Sequence, residues 1–600
     1  MKVVVVGGVA GGASAAARIR RLDASAQIVM LEKGEHVSFS NCCLPYHLSG
    51  TIEKSSSLVL MTPERFQKQH DIEVRVRNEV TAIHRKEKKV VVRNLETQET
   101  YEERYDKLIL APGADPVLPK SIAGIDQPQV HVIRNVTDIE RLKAAVDAPG
   151  IEEVAVIGGG FIGLEAAENL SLAGKKVTLV EGMDQVMTPF DHDMVQILHK
   201  ELDDHGIALH LRSMLKAVEP GQIRIQKGDA EQVLKADVVV MAIGVAPCTK
   251  LAEEAGLRIG ETKGIWVNHN YQTSDPDIYA VGDAIEGHHA LTHRPARLAL
   301  AGPAQRQARA AADHIYGHQH NEHGFIGSSC IRVFGQNAAC TGLSVKAAKA
   351  AGYTCDSVLL FPNDKVSLMP NTHYMAFKLV FEVPSGLLLG AQAIGRGEVD
   401  KRIDVIAAMI TMHATLEDLK ELELCYAPVF STAKDVVNMA ALVGLNILYE
   451  NYRQVHVEDV RSLVESGAYI IDVREEGEFA AGHLLNAHNI PLSQLRQRLD
   501  EIPRDRPVYL HCRSSQRSYY ALCALQGRGF ENVYNISGSF LGICLYEYFN
   551  DKSEGRAPIV TSYNLDVYKR QDLSVYGGQT SDRVHGWRRG AGSTRGLGVC

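Results

Sequence analysis

The sequence predicts an α/β protein of several domains, and three observations carry that prediction. A β-branched run, Lys2 to Val6, feeds a glycine-rich turn and an alanine-rich helix. The same strand–turn–helix order returns at Val154 to Ala173, and a further strand–loop–helix stands at Val508 to Gly527 after a short polar stretch. Six hundred residues also exceed what one hydrophobic core organises, so three to five domains are expected.

Hydrophobic residues at 45% and charged residues at 23% describe an ordinary globular protein. A net charge of −8 argues against nucleic acid as a bulk partner. Eleven cysteines with no C-x-x-C pair form neither a disulfide scaffold nor a structural zinc site, so no metal is expected. No basic segment with a long apolar run opens the chain, and no run nears the ~20 apolar residues of a membrane span. A reduced, cytoplasmic protein without a membrane partner is the expectation.

In the first unit the turn Gly7-Gly8-Val9-Ala10-Gly11-Gly12 approaches G-x-G-x-x-G, with Val9 at the middle position and a helix expected over 13–22. Such turns bring backbone N–H groups and a helix N-terminus against a pyrophosphate. Strand Gln27 to Leu31 ends at Glu32, 20 residues after Gly12, where a carboxylate meets a ribose 2′-OH. The second unit is a full match: Gly158, Gly160 and Gly163, a helix over 164–173, then strand Lys176 to Val180 ending at Glu181. Two such folds imply two dinucleotides, most simply a flavin and a nicotinamide. Glu181, followed by Gly182 and Met183 and not by arginine, favours NADH over NADPH. Tyr105 to Gly113 reads as a strand closing on Ala111-Pro112-Gly113, and Thr273 to Asp283 as a strand ending in Gly282-Asp283. Asp283 is then placed to bond the ribityl chain of FAD, with a helix over 299–316 aimed at the flavin pyrimidine.

Between these units lies Ser38 to Tyr46, S-F-S-N-C-C-L-P-Y. A thiol beside a flavin exchanges two electrons when it is held ionised and exposed. The spacing of both fingerprints, the Ala111 turn and the Gly282-Asp283 pair resembles the two-dinucleotide flavoprotein disulfide reductases. Within them, the nonapeptide is similar to the S-F-x-N-C-x-x-P-Y of coenzyme A disulfide reductases, matching the single redox cysteine at Cys42. Reductases with a C-x4-C pair are excluded, since the residue five after Cys42 is His47. The resemblance implies that Asn41 positions the thiolate, that Lys33 and Ala301 join the FAD site, and that Gly244 joins the NADH site. Coenzyme A is implied as substrate or bound cofactor. Ser38, Arg18 and Arg21 are placed to meet it, although a solvated charge run explains the arginines equally well. Cys43 is read as a neighbour, with a strained Cys42–Cys43 disulfide as the alternative.

From about Phe325 the pattern becomes mixed: strands over 328–341, a helix Val345 to Ala351, a hairpin around Pro384-Ser385-Gly386, and an amphipathic helix from Val399. By resemblance this is an α+β dimerisation domain of a homodimer, with Tyr426 reaching the partner's active site. The family's tyrosine pair near position 369 is replaced by Leu368-Met369. Residues 451–457 read as a polar connection. Beyond it, Asp472-Val473-Arg474 and the loop Cys512-Arg513-Ser514-Ser515-Gln516-Arg517 look like a rhodanese. There Cys512 carries a persulfide, and Arg513 and Arg517 attract an anionic donor. The expected domains are 1–115 with 245–320 for FAD, 116–244 for NAD(P)H, 321–450 for dimerisation and 456–552 for the rhodanese. Residues 565–600, rich in Gly, Arg and Ser, are expected to be disordered or extraneous.

The implied activity is NAD(P)H-driven reduction of coenzyme A disulfide and coenzyme A persulfide or polysulfide through Cys42, with sulfane sulfur handled by Cys512. Two other classes stay open at this point. One is a single-cysteine NADH oxidase or peroxidase cycling through sulfenic acid; the other is a sulfur carrier or redox sensor.

Overall fold

The computed structural model describes residues 1–320 and 323–565; of the tail expected over 565–600, Leu565 packs against the core, and the rest, with Cys600, lies outside the described residues. The first sheet is five-stranded and parallel. Its order is Ile278–Ala280, Lys107–Leu110, Lys2–Val6, Gln27–Leu31, Glu73–Arg75. Val3, Val4 and Val5 in its centre are completely buried, as expected of a β-branched strand covered on both faces. The second sheet repeats the plan in the order Ala208–His210, Lys176–Val180, Glu153–Ile157, Val238–Met241, Val130–Val132, again parallel. Each Rossmann-like sheet is accompanied by a three-stranded antiparallel meander. The chain thus contains two copies of one dinucleotide-binding architecture.

The helices of both units start earlier than the sequence suggests. They run Ala10–Leu22 and Phe161–Leu172, so the last glycine of each turn is already helical. Helix Ala301–Ile315 packs along Ala10–Leu22, and alanines on its inner face make that approach close. Val345–Ala351 matches its expected bounds. It belongs to an antiparallel five-stranded sheet domain whose central hairpin, Met375–Glu382 with Leu388–Gly395, is the one anticipated around Pro384.

The last sheet is parallel in the order Arg453–Val455, Tyr534-bearing Val533–Ile536, Val508–His511, Tyr469–Asp472, His488–Asn489. Residues 453–455, expected in a polar connection, are therefore its edge strand. Three residues at a sheet edge need no alternating apolar pattern, which is why the sequence hid them.

This last domain is docked on the others, with no free linker. Leu541 and Leu545 of helix Ser539–Glu554 share one hydrophobic core with Val195 and Leu198 of helix His192–Asp204. Phe549 packs against His199 with ring centroids 5.0 Å apart, and Lys552 pairs with Asp203 at 2.6 Å. On the opposite side Gln454 donates to the Ser357 carbonyl at 2.8 Å, and His456 meets Asp356 at 3.1 Å. No helix among the described residues is long and apolar enough to cross a membrane.

Candidate functional site

The two glycine turns have the same geometry. Gly7 and Gly158 sit at φ +95° and +110°, where a Cβ would fall 2.1 and 2.4 Å from the carbonyl oxygens of Ala111 and Ala242. No L side chain fits either position. Gly12 and Gly163 lie in the first turns of their helices, where a Cβ would meet the carbonyls of Gly7 and Gly158 at 1.8 and 1.9 Å. Space around Gly160 is open, and so is that around Gly244, itself at φ +113°. Glu32 accepts the Gly8 and Gly34 N–H groups, both at 2.8 Å. Glu181 does the same for Gly159 at 2.6 Å and Met183 at 2.8 Å. Each carboxylate is thereby fixed at its strand end with acceptor capacity left for a ribose.

A cavity of about 940 Å³ opens over the first turn. Gly7, Glu32, Lys33, Asn41, Ala111, Pro112, Gly113 and Asp283 all line it, bringing together residues from five separate segments. Burial pushes the Asp283 carboxyl above its ordinary range. Ala301 is exposed at the start of its helix, and Ala304, one turn on, lines the cavity. The cavity's size, its glycine floor, fixed acid and inward-facing Asp283 fit a flavin dinucleotide, which these residues would hold.

At one rim stands the thiol. Residues Asn41–Cys43 and Pro45–His47 form two successive 3₁₀ turns, and Cys42 is exposed while Cys43 packs partly into the core beneath. The two sulfurs thus face different surroundings and both are free thiols. His47, where a second redox cysteine would stand, is buried with Nδ1 2.7 Å from the Ile52 carbonyl. Ser38 adopts φ 47° and ties the loop back through its N–H to Gly8 O at 2.8 Å.

Burial first, then the Glu165 carboxylate, raise the Cys42 thiol above the ordinary range. Glu165 is the residue the sequence reading missed. It lies on helix Phe161–Leu172, which packs against the Pro45–His47 turn. Burial and the neighbouring Glu168 push it up to about 7. Its place two residues after Gly163, in the turn facing the thiol loop, was the available signal. Tyr46, between Glu165 and Glu168, is pushed up to about 12, chiefly by burial. A carboxyl that changes charge near neutrality therefore stands next to the exposed thiol.

The two arginines expected near coenzyme A differ in their surroundings. Arg18 is engaged with Asp313, Nε to Oδ1 at 2.6 Å; Arg21 is exposed. Tyr426 is 50% exposed in a loop whose Val429 and Phe430 also face outward, and Leu368 is 86% exposed.

In the last domain Cys512 follows strand Val508–His511 and precedes helix Gln516–Gln526. The sulfur lies at the loop's floor, and the residue is 1% exposed. Ser518 Oγ donates toward Sγ at 3.6 Å, and Ser539 Oγ lies 3.9 Å from it. Arg513 is half-buried. Arg517, expected to be free for an anion, forms a two-pronged pair with Glu478 at 2.7 and 2.8 Å. His511 beneath is fully buried, and burial lowers its affinity for a proton. Among the described residues no group of three or more His, Cys, Asp or Glu is arranged to hold a metal.

Residues 1–308 match the family model for pyridine nucleotide-disulphide oxidoreductases, 330–436 its dimerisation domain, and 456–545 the rhodanese-like domain. The coenzyme A disulfide reductase of Staphylococcus haemolyticus is 33% identical over 439 residues, 73% of this chain and 98% of that protein. A solved structure of reduced Bacillus anthracis CoADR-RHD is 42% identical, covers 92% of this chain and 98% of its own, and superposes with a TM-score of 0.88. A NAD-dependent persulfide reductase from A. fulgidus is 34% identical with a TM-score of 0.84, covering 90% of this chain and 99% of its own.

Proposed function

The chain belongs to the pyridine nucleotide-disulphide oxidoreductase family, and from that premise we propose that it is a homodimeric, NADH-driven reductase of coenzyme A disulfide and of coenzyme A persulfide or polysulfide. The observation that carries this reading is one exposed thiol, Cys42, beside a dinucleotide-sized cavity, with the second-cysteine position filled by a buried histidine. Relatives named for disulfide and persulfide reduction, the latter joined by the attached rhodanese, supply the substrate class.

Bound in the cavity, FAD supplies the two-electron relay from NADH to sulfur. The chain's own residues do the rest. The Cys42 thiolate attacks a disulfide or persulfide sulfur, forms a mixed disulfide and releases one thiolate. Two electrons then break that bond, returning Cys42 as thiolate and freeing the second thiol or hydrosulfide. Asn41 holds the thiol loop at the cavity rim, and Glu165, neutral below about 7, is a local proton source for the leaving sulfur. Tyr426 serves the partner's site from its exposed loop. Arg21 and Arg513 are the cations on the outer helix and the persulfide loop offered to anionic substrate groups; Arg517 acts through its bond to Glu478. Glu181 selects NADH, with NADPH disfavoured by its charge. The domain division expected from sequence is proposed, with the rhodanese extended back to the strand at 453 and forward through Val560, which pairs with Leu484.

Anaerobic NADH oxidation measured with coenzyme A disulfide, coenzyme A persulfide and polysulfide tests the reading. Cys42→Ser is expected to abolish turnover with all three, and Cys512→Ser only the use of external sulfane donors. Oxygen or peroxide consumption far exceeding disulfide reduction would instead place the chain with water-forming oxidases. One such enzyme, from Lactobacillus brevis, shares its fold at 27% identity and a TM-score of 0.71.

A further inference from the structure

Two serines near Cys512 hold backbone conformations that serine rarely adopts. Ser515 has φ 72° and Ser539 φ 50°. Glycine would take either without steric cost, so each hydroxyl is kept at a conformational expense of the kind found where structure serves a site. The side chains meet: Ser515 Oγ and Ser539 Oγ are 3.1 Å apart. Ser539 is fully buried although it comes from another segment, the first turn of helix Ser539–Glu554. Its Oγ accepts the Cys512 N–H at 3.2 Å and lies 3.9 Å from Cys512 Sγ.

The hydroxyl protons can be assigned by the acceptors available. Ser515 Oγ donates to the Ile536 carbonyl at 3.2 Å. That leaves the single proton of Ser539, which also reaches Ile536 O at 3.3 Å, free to turn to an ionised sulfur, the stronger acceptor. The backbone locks the geometry, because Phe540 N–H donates to Cys512 O and Leu541 N–H to Arg513 O, both at 3.0 Å.

We propose that Ser539, braced by Ser515, is a positioning residue for Cys512, fixing the cysteine's backbone and donating its hydroxyl to the sulfur when it acts in sulfane transfer. The inference rests on the reading that Cys512 carries sulfane sulfur. In that step the Cys512 thiolate attacks the outer sulfur of thiosulfate. A Cys512–sulfur bond forms, the donor's S–S bond breaks, and its electron pair leaves with sulfite. The Ser539 hydroxyl holds the sulfur anion on both sides of the exchange and is not consumed.

Ser539→Gly is the discriminating variant, since glycine keeps the φ and loses the hydroxymethyl group. Its melting temperature should stay near wild type, relief of the strained φ offsetting the buried Cys512 N–H left unpaired. Thiosulfate-to-cyanide sulfur transfer should fall about tenfold, the loss of one charge-assisted hydrogen bond. Iodoacetamide labelling of Cys512, followed by peptide mass, should need higher pH than in wild type. Ser515→Gly should show the same direction more weakly. The charged groups around the loop (Arg513, Arg517 with Glu478, and Asp472, Arg474 and His511 below) are identical in all variants. If Cys512→Ser abolishes transfer while Ser539→Gly keeps wild-type rate and labelling profile, the positioning role is wrong. If Cys512→Ser still transfers sulfur, the underlying reading falls and the proposal with it.

Discussion

At Cys42, burial and then the neighbouring Glu165 charge oppose ionisation of an otherwise exposed residue. Glu165 is neutral below about 7 and anionic above it, and as an anion it opposes ionisation of the thiol. The sign follows: Glu165→Gln leaves Cys42 alkylation unchanged in acid and speeds it above neutrality, by roughly threefold for a partly screened neighbouring charge. Peptide-resolved alkylation of the holoenzyme across pH measures this, and equal rates at alkaline pH would refute it. Cys43, packed partly into the core, gives a second expectation. Cys43→Ser should retain near-wild-type turnover and lose a little stability, whereas Cys42→Ser is dead; the reverse would reassign the redox centre. Cys42 was legible in the sequence because its motif is contiguous. Glu165 was not, because its effect depends on a helix from another domain packing on the thiol loop.

Among the elements, the repeated strand–turn–helix units explain both what the sequence revealed and where it slipped. Glycines and terminal acids mark constraints within a single turn, so Gly7, Gly158, Glu32 and Glu181 all fell where expected. Ala304 was not legible, because only a helix's inner face reaches the cavity and the packing angle that selects it is not written locally. Arg18 and Arg517 read as free cations, yet their partners, Asp313 and Glu478, lie 295 and 39 residues away. The acid at the second unit's strand end carries its own prediction. Glu181 braces the turn through the Gly159 and Met183 N–H groups, so Glu181→Ala removes both acceptors as well as the ribose contact. KM for NADH should rise at least about tenfold, since hydrogen bonds to charged groups contribute about 1.5–3 kcal/mol each. Discrimination against NADPH should narrow in the same steady-state assays; unchanged values for both nucleotides would remove Glu181 from the site.

At the scale of the molecule, the rhodanese-like domain is a fixed part of the body. Its attachment combines a shared apolar core with polar contacts on two sides, and no free linker joins it to the rest. The sequence concealed this: helix Ser539–Glu554 is apolar on the face toward its own domain and on the face toward helix His192–Asp204, which locally reads as one buried helix. Docking of this kind makes the domains unfold together, because losing the interface exposes core residues on both. Leu545, 2% exposed at that interface, is the place to test it. Leu545→Ala should cost about 2–5 kcal/mol. The wild type should unfold in a single calorimetric transition, and Leu545→Asp, which buries an unpaired charge, should separate it into two. Limited proteolysis should then cut near residues 449–453 and release the rhodanese-like domain. If the rate of persulfide reduction with an external sulfane donor falls in that variant while coenzyme A disulfide reduction persists, fixed placement of Cys512 relative to Cys42 is what the docking contributes. If both rates hold, the two centres communicate only through freely diffusing thiols, and the interface serves stability alone.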